Sequence, residues 1–184
     1  SSRGDTYGML MLLDIDRFQL LNDTQGHVAG DQLLRAVAKR LSTSVREDDT
    51  VARHGDDDFA ILIENIGATE ADALVHAEHI ARKVQRALDA PYVLGEGDGV
   101  LHYSTLSFGV SLFQGKALSL SGVLKQAEVA LYRAKHEGRN NIRFFNPAMQ
   151  AVVDANAHME ARLHEAIETE AFRLFFQPQV DRQG

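Results

Sequence analysis

The sequence predicts an α/β sandwich in which helices cover a mixed central sheet. Three observations lead to this class. Residues 7–15, YGMLMLLDI, are apolar on both faces of a strand, which is typical of a strand inside a covered sheet. Two strand-like runs flank Gly55 and predict a β-hairpin. Segments with apolar residues at helical spacing alternate with these strands along the 184 residues.

The elements of the first half follow from local patterns. Residues 30–45 carry apolar side chains at helical spacing and predict a helix. The hairpin pairs VARH, residues 51–54, with DFAILIEN, residues 58–65. Residues 68–88 predict a long amphipathic helix, and Thr69 is its candidate N-cap.

The second half continues the alternation. Two strand segments flank a glycine-rich turn within residues 91–113, and residues 121–138 predict a helix that ends at a glycine. Residues 141–145 form a short strand, Pro147 opens a helix to about residue 170, and residues 171–184 resemble a strand that stops in mid-element. The predicted order is β-α-α-β-β-α-β-β-α-β, then a helix and a strand.

The composition limits the classes of function. The formal net charge is −7, and an acidic chain is poorly suited to general nucleic-acid binding. The absence of cysteine excludes disulfides and thiolate metal sites. The longest apolar run, residues 9–13, is far too short to cross a bilayer, and no signal peptide opens the sequence. We expect a cytoplasmic fragment without membrane contact of its own, from a longer protein whose membrane anchoring stays open.

Carboxylates gather at two places that the predicted sheet can bring together. Asp14 and Asp16 end the first strand and, being two apart, are expected on one side of it, while residues 56–58 are three aspartates at the hairpin tip. If the strands are neighbours, Asp14 converges with a hairpin carboxylate, and such oxygen ligands suit Mg²⁺ holding a polyphosphate. The alternative is a solvated acidic turn. An EF-hand is excluded because Gln25 stands where the bidentate glutamate belongs.

A second motif lies in LLNDTQGHVAGDQLL, residues 20–34. Gly26 and Gly30 permit a sharp reversal between two helices, which would place Asn22 and Asp31 beside one small cavity. An aspartate accepts the two N–H donors of a guanine edge, and an asparagine amide can serve the remaining groups. The alternative is that both residues only cap helix ends.

Two cations follow near the end of a predicted helix. Lys135 and Arg139 are four residues apart in LYRAKHEGRNN, residues 131–141. Either side chain can reach phosphate oxygens, arginine through a forked contact and lysine as a point charge. The alternative is that they complement the helix dipole.

Taken together, four segments resemble a GGDEF domain of the diguanylate cyclase family, over roughly residues 7–145. The segments are residues 14–34, 53–59, 104–111 and 131–141. The resemblance implies a nucleotidyl-cyclase-like mixed sheet covered by helices. It also implies the condensation of two GTP molecules into cyclic di-GMP by an antiparallel homodimer, in which each subunit holds one GTP.

The resemblance implies a role for each motif residue. Asp14 and Asp57 match the side chains that bind Mg²⁺ (or Mn²⁺), with the Ile15 carbonyl as a further ligand. Asp57 is therefore part of the catalytic pair, and Asp58 matches the acidic residue that assists catalysis. The remaining matches concern GTP. By the resemblance, Asn22 and Asp31 contact guanine, and Lys135 and Arg139 bind the terminal phosphates. Backbone amides around Arg17 and Phe18 donate to the same phosphates.

A regulatory motif precedes the hairpin. Arg46 and Asp49 fit the RxxD inhibitory site of the family, which binds the product, cyclic di-GMP. A second arginine often completes that site on the following helix, and the alignment places His79 there, which would weaken it. The alternative is an ordinary charged helix end.

Three departures from the family pattern affect catalysis. The signature GG(D/E)EF reads GDDDF, with Asp56 for the second glycine and Asp58 for glutamate, and Gln19 replaces a lysine. A glycine would allow unusual backbone angles and close approach to the nucleotide. The Asp56 charge near phosphates is unfavourable, since like charges 4 Å apart cost about 1 kcal/mol in water and more in a sheltered site. The pattern favours GTP binding without efficient turnover.

The C-terminal residues suggest a second module. EARLHEAIETEAFRLFFQPQVD, residues 160–181, resembles the linker and opening strand of an EAL domain, the cyclic di-GMP phosphodiesterase family. We expect a GGDEF domain over 1–146, a linker helix over 147–170 and a truncated EAL strand over 171–184. The first hypothesis is a degenerate GGDEF domain that binds GTP and regulates the attached EAL domain. A weakly active cyclase and a dimerisation or cyclic di-GMP-sensing scaffold are the alternatives.

Overall fold

The computed structural model of the chain describes residues 6–95, 99–115 and 119–169. The chain divides into two compact units, Ser1–Met149 and Gln150–Gly184. The elements, in chain order, are β1 (Tyr7–Ile15), α1 (Phe18–Gln25), α2 (His27–Ser44), β2 (Thr50–Arg53), β3 (Asp58–Gly67), α3 (Glu70–Leu88), β4 (Tyr92–Leu94), β5 (Val100–His102), β6 (Leu106–Gln114), α4 (Leu120–His136), β7 (Ile142–Phe144) and α5 (Pro147–Glu168).

The central sheet has the strand order β2-β3-β1-β6-β7. Strand β1 pairs antiparallel with β3 and β6, whereas β6 pairs parallel with β7, so the sheet is mixed as predicted. Because β1 is central, both of its faces are buried. Met9, Met11 and Leu13 enter the larger core cluster, and Leu10 and Leu12 enter a second cluster with residues of α4. The apolar run of β1 is therefore explained by burial on both sides.

Helix α4 lies directly against β6 because of one glycine. A Cβ built on Gly109 would lie 2.2 Å from the Ala127 carbonyl oxygen and 2.3 Å from the Leu131 amide nitrogen. These are backbone atoms of the helix, so no side chain can be accommodated there. The contact sets the position of the last turn of α4, which carries Lys135.

The helix predictions agree with the structure at their main points. Thr69 caps α3, since its hydroxyl accepts from the Asp72 amide at 3.2 Å. Gly138 follows α4 with a φ of +107°, a conformation that favours glycine. Helix α5 begins at Pro147 as predicted. The strand expected over 171–184 lies outside the described residues.

One strand prediction was wrong. Residues 91–113 form three strands rather than two, because β5 ends at His102 and β6 begins at Leu106. Strands β4 and β5 form a separate two-stranded sheet. Just beyond the ladder between β1 and β6, the Thr105 carbonyl accepts from the Asp16 amide at 2.9 Å.

Among the described residues, no helix is both long and apolar enough to span a membrane.

Candidate functional site

Three carboxylates meet at the end of β1. Asp14, Asp57 and Asp58 can each place one carboxylate oxygen so that all three atoms lie within 4.8 Å of one another. The strand register explains the meeting, since Asp14 of β1 is the direct partner of Asp58 of β3. Asp14 is only 6% exposed, and the two hairpin residues are half-buried. The structure thus brings together the acids that the sequence placed on two neighbouring strands.

The cluster carries more negative than positive charge. Burial raises the pKa of the Asp14 carboxyl to about 7, the Asp58 carboxyl adds to this rise, and the Lys135 ammonium opposes it. Burial also raises the pKa of Asp57, and the charge of Asp58 adds to that rise. The Lys135 ammonium donates a hydrogen bond to Asp14 Oδ2, whereas the buried Asp58 Oδ1 has no partner among the described residues. Crowded carboxylates with an unpartnered oxygen fit a divalent cation that prefers oxygen ligands.

Asp16 does not join this cluster, contrary to the expectation that it shares a side of the strand with Asp14. Strand β1 ends at Ile15, so the alternation of a strand no longer governs Asp16. Its carboxylate instead accepts from the hydroxyls of Thr105 and Ser107, each at 2.7 Å. Its hydrogen-bonded surroundings make Asp16 a structural acid rather than a metal ligand.

The two predicted phosphate cations are in different situations. Lys135 lies in the last turn of α4 and is paired with Asp14. Arg139 lies beyond the helix, is exposed, and its guanidinium makes no hydrogen bond or ion pair with the described residues. Together with Arg17 and Phe18 it lines a cavity of about 400 Å³ at the start of α1. One cation thus pairs with a single acid of the cluster, and the other is available to a ligand.

The hairpin tip is held by an arginine that the sequence reasoning missed. Arg53 Nε donates to the Gly55 carbonyl oxygen at 3.0 Å, and its terminal nitrogen donates to the Asp56 carbonyl oxygen at 2.6 Å. Neither Gly55 nor Asp56 has a positive φ. The expectation that Asp56 replaces a glycine needed for unusual backbone angles is therefore wrong for this hairpin. The position of Arg53, two residues before the signature glycine, was the available signal.

The predicted guanine contacts lie at the meeting of α1 and α2. A Cβ built on Gly30 would lie 2.0 Å from Asn22 Oδ1, so a glycine is needed there. This Asn22 oxygen is buried and has no hydrogen-bond partner among the described residues. Asp31 is exposed and lines a cavity of about 460 Å³ with Arg35 and Arg53. The two residues therefore offer acceptors on adjacent parts of the helix pair.

The predicted inhibitory-site residues share a separate cavity of about 360 Å³. The Arg46 amide donates to Asp49 Oδ2 at 2.8 Å, which orders this turn. His79 of α3 lines the same cavity, as the alignment placed it. Lys83, one turn further along α3, also lines it, and the RxxD motif gives no signal for this lysine.

A mixed sheet with an acidic strand end beside the basic end of a helix is the arrangement expected of a nucleotidyl-cyclase-like domain. The sequence profile of the family described as "Diguanylate cyclase, GGDEF domain" matches residues 2–141, and the chain belongs to this family. It is thus a GGDEF domain of cyclic di-GMP signalling.

Similar proteins support this assignment. The chain is 33% identical over 178 residues to the bifunctional diguanylate cyclase/cyclic di-GMP phosphodiesterase MucR of Pseudomonas aeruginosa, covering 97% of this chain and 25% of MucR. It therefore spans about a quarter of the length of that relative. An EAL/GGDEF domain protein from M. capsulatus has a TM-score of 0.66 at 37% identity, over 77% of this chain and 86% of that one. The GGDEF domain of DgcB from Caulobacter crescentus, in complex with c-di-GMP, has a TM-score of 0.62 at 29% identity, over 76% and 78%.

Relatives match this chain over two different lengths. Three relatives with a phosphodiesterase in their names match this chain over 169–178 residues. Four matching proteins named only as diguanylate cyclases align over 133 or 134 residues. The family profile itself ends at residue 141. The signaling protein YkoW of Bacillus subtilis, whose name mentions no phosphodiesterase, also matches over 173 residues, so the longer matches are not confined to relatives named as phosphodiesterases.

Proposed function

We propose that this domain binds Mg²⁺–GTP with little or no cyclase turnover and regulates an attached EAL phosphodiesterase domain. The observation that carries the proposal is the convergence of Asp14, Asp57 and Asp58 within 4.8 Å beside Lys135. A stable fold gains nothing from three crowded carboxylates, because like charges at this distance repel. Their cost is offset when a cation with bound phosphates is present.

The metal would be held by Asp14 and Asp57, with the Ile15 carbonyl as a backbone ligand. When bound, Mg²⁺ (or Mn²⁺) neutralises charge on the triphosphate and orients it. The burial of Asp14 keeps this side chain in one position, since it is packed at the strand end. Asp58, with its buried and unpartnered Oδ1, is placed to accept a proton or a hydrogen bond from a ligand.

The chain's own cations would bind the phosphates. Lys135 neutralises Asp14 in this structure and becomes available to a phosphate oxygen once Asp14 has another cation beside it. Arg139 is available already, and the first amides of α1, from Phe18 onward, lack carbonyl partners within the helix. The Asn22 oxygen and the Asp31 carboxylate would accept hydrogen bonds from the N–H groups of guanine.

The departures at the hairpin support weak turnover. Asp56 adds a negative charge at the exposed tip, where the family has glycine. Asp58 is one methylene shorter than the usual glutamate, so its carboxylate reaches less far toward a substrate. Gln19 removes a positive charge from the start of α1. None of these changes removes a proposed metal ligand, so binding is retained while catalysis is impaired.

Regulation of an EAL domain is supported by the longer matches. The chain aligns with the phosphodiesterase-bearing relatives well beyond the GGDEF profile, and the M. capsulatus protein is described as an EAL/GGDEF domain protein. Residues 160–181 lie in that additional stretch. An EAL domain attached at this point would receive the signal of GTP binding through the chain connection.

The experiment is a calorimetric titration of GTP with Mg²⁺ and with EDTA, alongside chromatography of the products. The wild type should show saturable, Mg²⁺-dependent binding, and Asp57→Asn should weaken it at least about tenfold. Asp89→Asn, at the end of α3, is the matched control and should bind as the wild type does. No saturable binding by the wild type would overturn the proposal, and cyclic di-GMP formed by the wild type would establish the weakly active cyclase instead.

The same assay with Asp56→Gly identifies the cause of low turnover. Product from this variant alone would assign the defect to the Asp56 charge. In the full-length protein, GTP should change the rate of cyclic di-GMP hydrolysis, and Asp57→Asn should remove that change. An identical hydrolysis rate with and without GTP would contradict the regulatory part.

A second candidate function is the sensing of cyclic di-GMP at the cavity of Arg46 and Asp49. It is favoured by the cationic groups that line this cavity, Arg46 and Lys83, together with His79. Guanidinium and ammonium groups bind phosphate, and a carboxylate accepts from guanine. Arg46→Ala should abolish cyclic di-GMP binding, whereas Arg86→Ala in the last turn of α3 should not. Unchanged affinity of Arg46→Ala would rule this function out.

A further inference from the structure

Asp16 joins three segments of the chain through one buried carboxylate. It is 8% exposed, and its Oδ1 accepts from the Ser107 hydroxyl at 2.7 Å. Its Oδ2 accepts from the Thr105 hydroxyl at 2.7 Å and from the Asn140 backbone amide at 3.1 Å. The side chain thereby connects the end of β1, the start of β6 and the turn that follows α4.

The turn that follows α4 has an unusual backbone. Gly138, Arg139 and Asn140 have φ angles of 107°, 61° and 47°. Glycine adopts such angles readily, but side chains larger than glycine persist there only where neighbouring groups determine the conformation. Two hydrogen bonds do so here: the Arg139 amide donates to the Ala134 carbonyl at 3.1 Å, and the Asn140 amide donates to Asp16.

The constrained turn presents its arginine to a cavity. Asp16, Arg17, Phe18 and Arg139 line the same cavity of about 400 Å³. The guanidinium groups of Arg17 and Arg139 make no ion pair with any described residue. A cavity with two unpaired guanidiniums suits a polyanion, and an arginine fork binds phosphate best when its backbone is fixed.

We propose that Asp16 is a positioning residue that fixes Arg139 against the terminal phosphates of the nucleotide. This inference rests on the proposed function, because it concerns the phosphate end of the same GTP site. Asp16 touches neither metal nor nucleotide. It acts through the Asn140 amide, which sets the backbone of the adjacent Arg139, and its own backbone precedes Arg17 on the other side of the cavity.

The charge of Asp16 is what the arrangement requires. Three donors converge on its two oxygens, and a carboxylate is an acceptor only. In Asp16→Asn, one of the two positions becomes an NH₂ donor. That donor then faces either the Ser107 hydroxyl, which can rotate, or the Asn140 amide, which cannot. The hydrogen bonds to the remaining oxygen also become neutral and therefore weaker, so the turn loses part of its constraint.

The test compares GTP and GMP affinities, each with Mg²⁺, in a double-mutant cycle of Asp16→Asn and Arg139→Ala. Asp16→Asn should weaken GTP binding about tenfold and GMP binding less than about twofold, since GMP lacks the terminal phosphates. In the Arg139→Ala background, Asp16→Asn should have no further effect on GTP. Asp89→Asn is the matched control and should change neither affinity.

Two further measurements keep the test decisive. Ser107→Ala perturbs Asp16 while keeping its charge, so it should produce a smaller loss with the same preference for GTP. Hydrogen exchange in the absence of nucleotide should show faster exchange at the Asn140 amide in Asp16→Asn, with the α4 amides before Ala134 unchanged.

Equal losses for GTP and GMP, or additive effects of the two substitutions, would overturn the positioning role. Unchanged exchange at Asn140 would overturn it as well. If the wild type binds no GTP, the proposed function fails by itself, and the exchange measurement alone then decides whether Asp16 positions the turn.

Discussion

Asp14 and Asp16 lie two residues apart at the end of β1, and their surroundings are opposite in electrostatic character. Asp14 faces two further carboxylates, with one ammonium to compensate, and its pKa is raised to about 7. Asp16 faces two hydroxyls and a backbone amide, and every one of them donates to it. The comparison teaches that a buried acid surrounded by hydrogen-bond donors stabilises the fold by itself. A buried acid surrounded by other acids needs a bound cation to offset the repulsion.

The largest expected effect is the change in the free energy of unfolding when Mg²⁺–GTP binds at the acid cluster around Asp14. Mg²⁺–GTP at about one hundred times its dissociation constant should stabilise the wild type by about 2.7 kcal/mol, because it binds only the folded state. Asp57→Asn should lose about half of this gain or more, since it removes a proposed metal ligand and a tenfold weaker affinity leaves about 1.4 kcal/mol. The measurement is urea unfolding with and without Mg²⁺–GTP. Equal stabilisation of the wild type and the variant would remove Asp57 from the metal site.

Substitution at the hydrogen-bonded acid should produce the next largest effect, without any ligand. Asp16→Asn should lower the free energy of unfolding by about 2 kcal/mol in EDTA, because buried donors lose a charged acceptor. Urea unfolding measures this change, with Asp89→Asn as the control of the same chemistry. A stability equal to that of the wild type would mean that the Asp16 hydrogen bonds are not formed in solution.

Substitution in the acid cluster should stabilise the protein, whereas substitution of Asp16 should destabilise it. In EDTA, Asp57→Asn should raise the free energy of unfolding by about 0.5 kcal/mol, because it removes repulsion from Asp58 at a partly exposed and screened position. The increase should become smaller in high salt. A destabilised variant would show that Asp57 has a structural role in the hairpin, and the contrast with Asp16 would not hold.

The smallest effect is expected at the hairpin tip. Asp56→Gly should change the free energy of unfolding by less than about 0.5 kcal/mol. Asp56 is exposed and its φ is not positive, so there is no backbone strain that a glycine would remove. Thermal unfolding of both proteins checks this. A gain of more than about 1 kcal/mol would show that the aspartate strains the turn, as the sequence alone suggested.

The fold class and the members of the acid cluster could be predicted from the sequence. The apolar run of β1 and the Thr69 cap are local signals, and the carboxylates stand at the ends of predicted strands. Asp58 lies opposite Asp14 because β3 pairs with β1, a pairing that the sequence allowed but did not require. The partners of Asp16 are different in kind. Thr105 and Asn140 lie 89 and 124 residues away along the chain, and nothing near Asp16 in the sequence specifies them.

Two other differences concern short segments. Strand β5 pairs with β4 in a separate sheet, whereas β6 pairs with β1, so the break between β5 and β6 could not be read from residues 91–113 alone. The ordinary backbone at Asp56 depends on the Arg53 guanidinium, which holds the two carbonyls of the tip. The first difference involves pairing between distant strands, whereas the second involves an arginine within the same hairpin.

The close contact at Gly109 makes α4 a lever arm. The fulcrum is where the helix backbone touches β6, at Ala127 and Leu131, and Lys135 lies four residues further on, about 6 Å along the axis. A methyl group added at Gly109 would push α4 away from β6 and move the Lys135 ammonium away from Asp14. A loss of nucleotide affinity can therefore arise in the middle of the sheet, at a residue with no atom in the site.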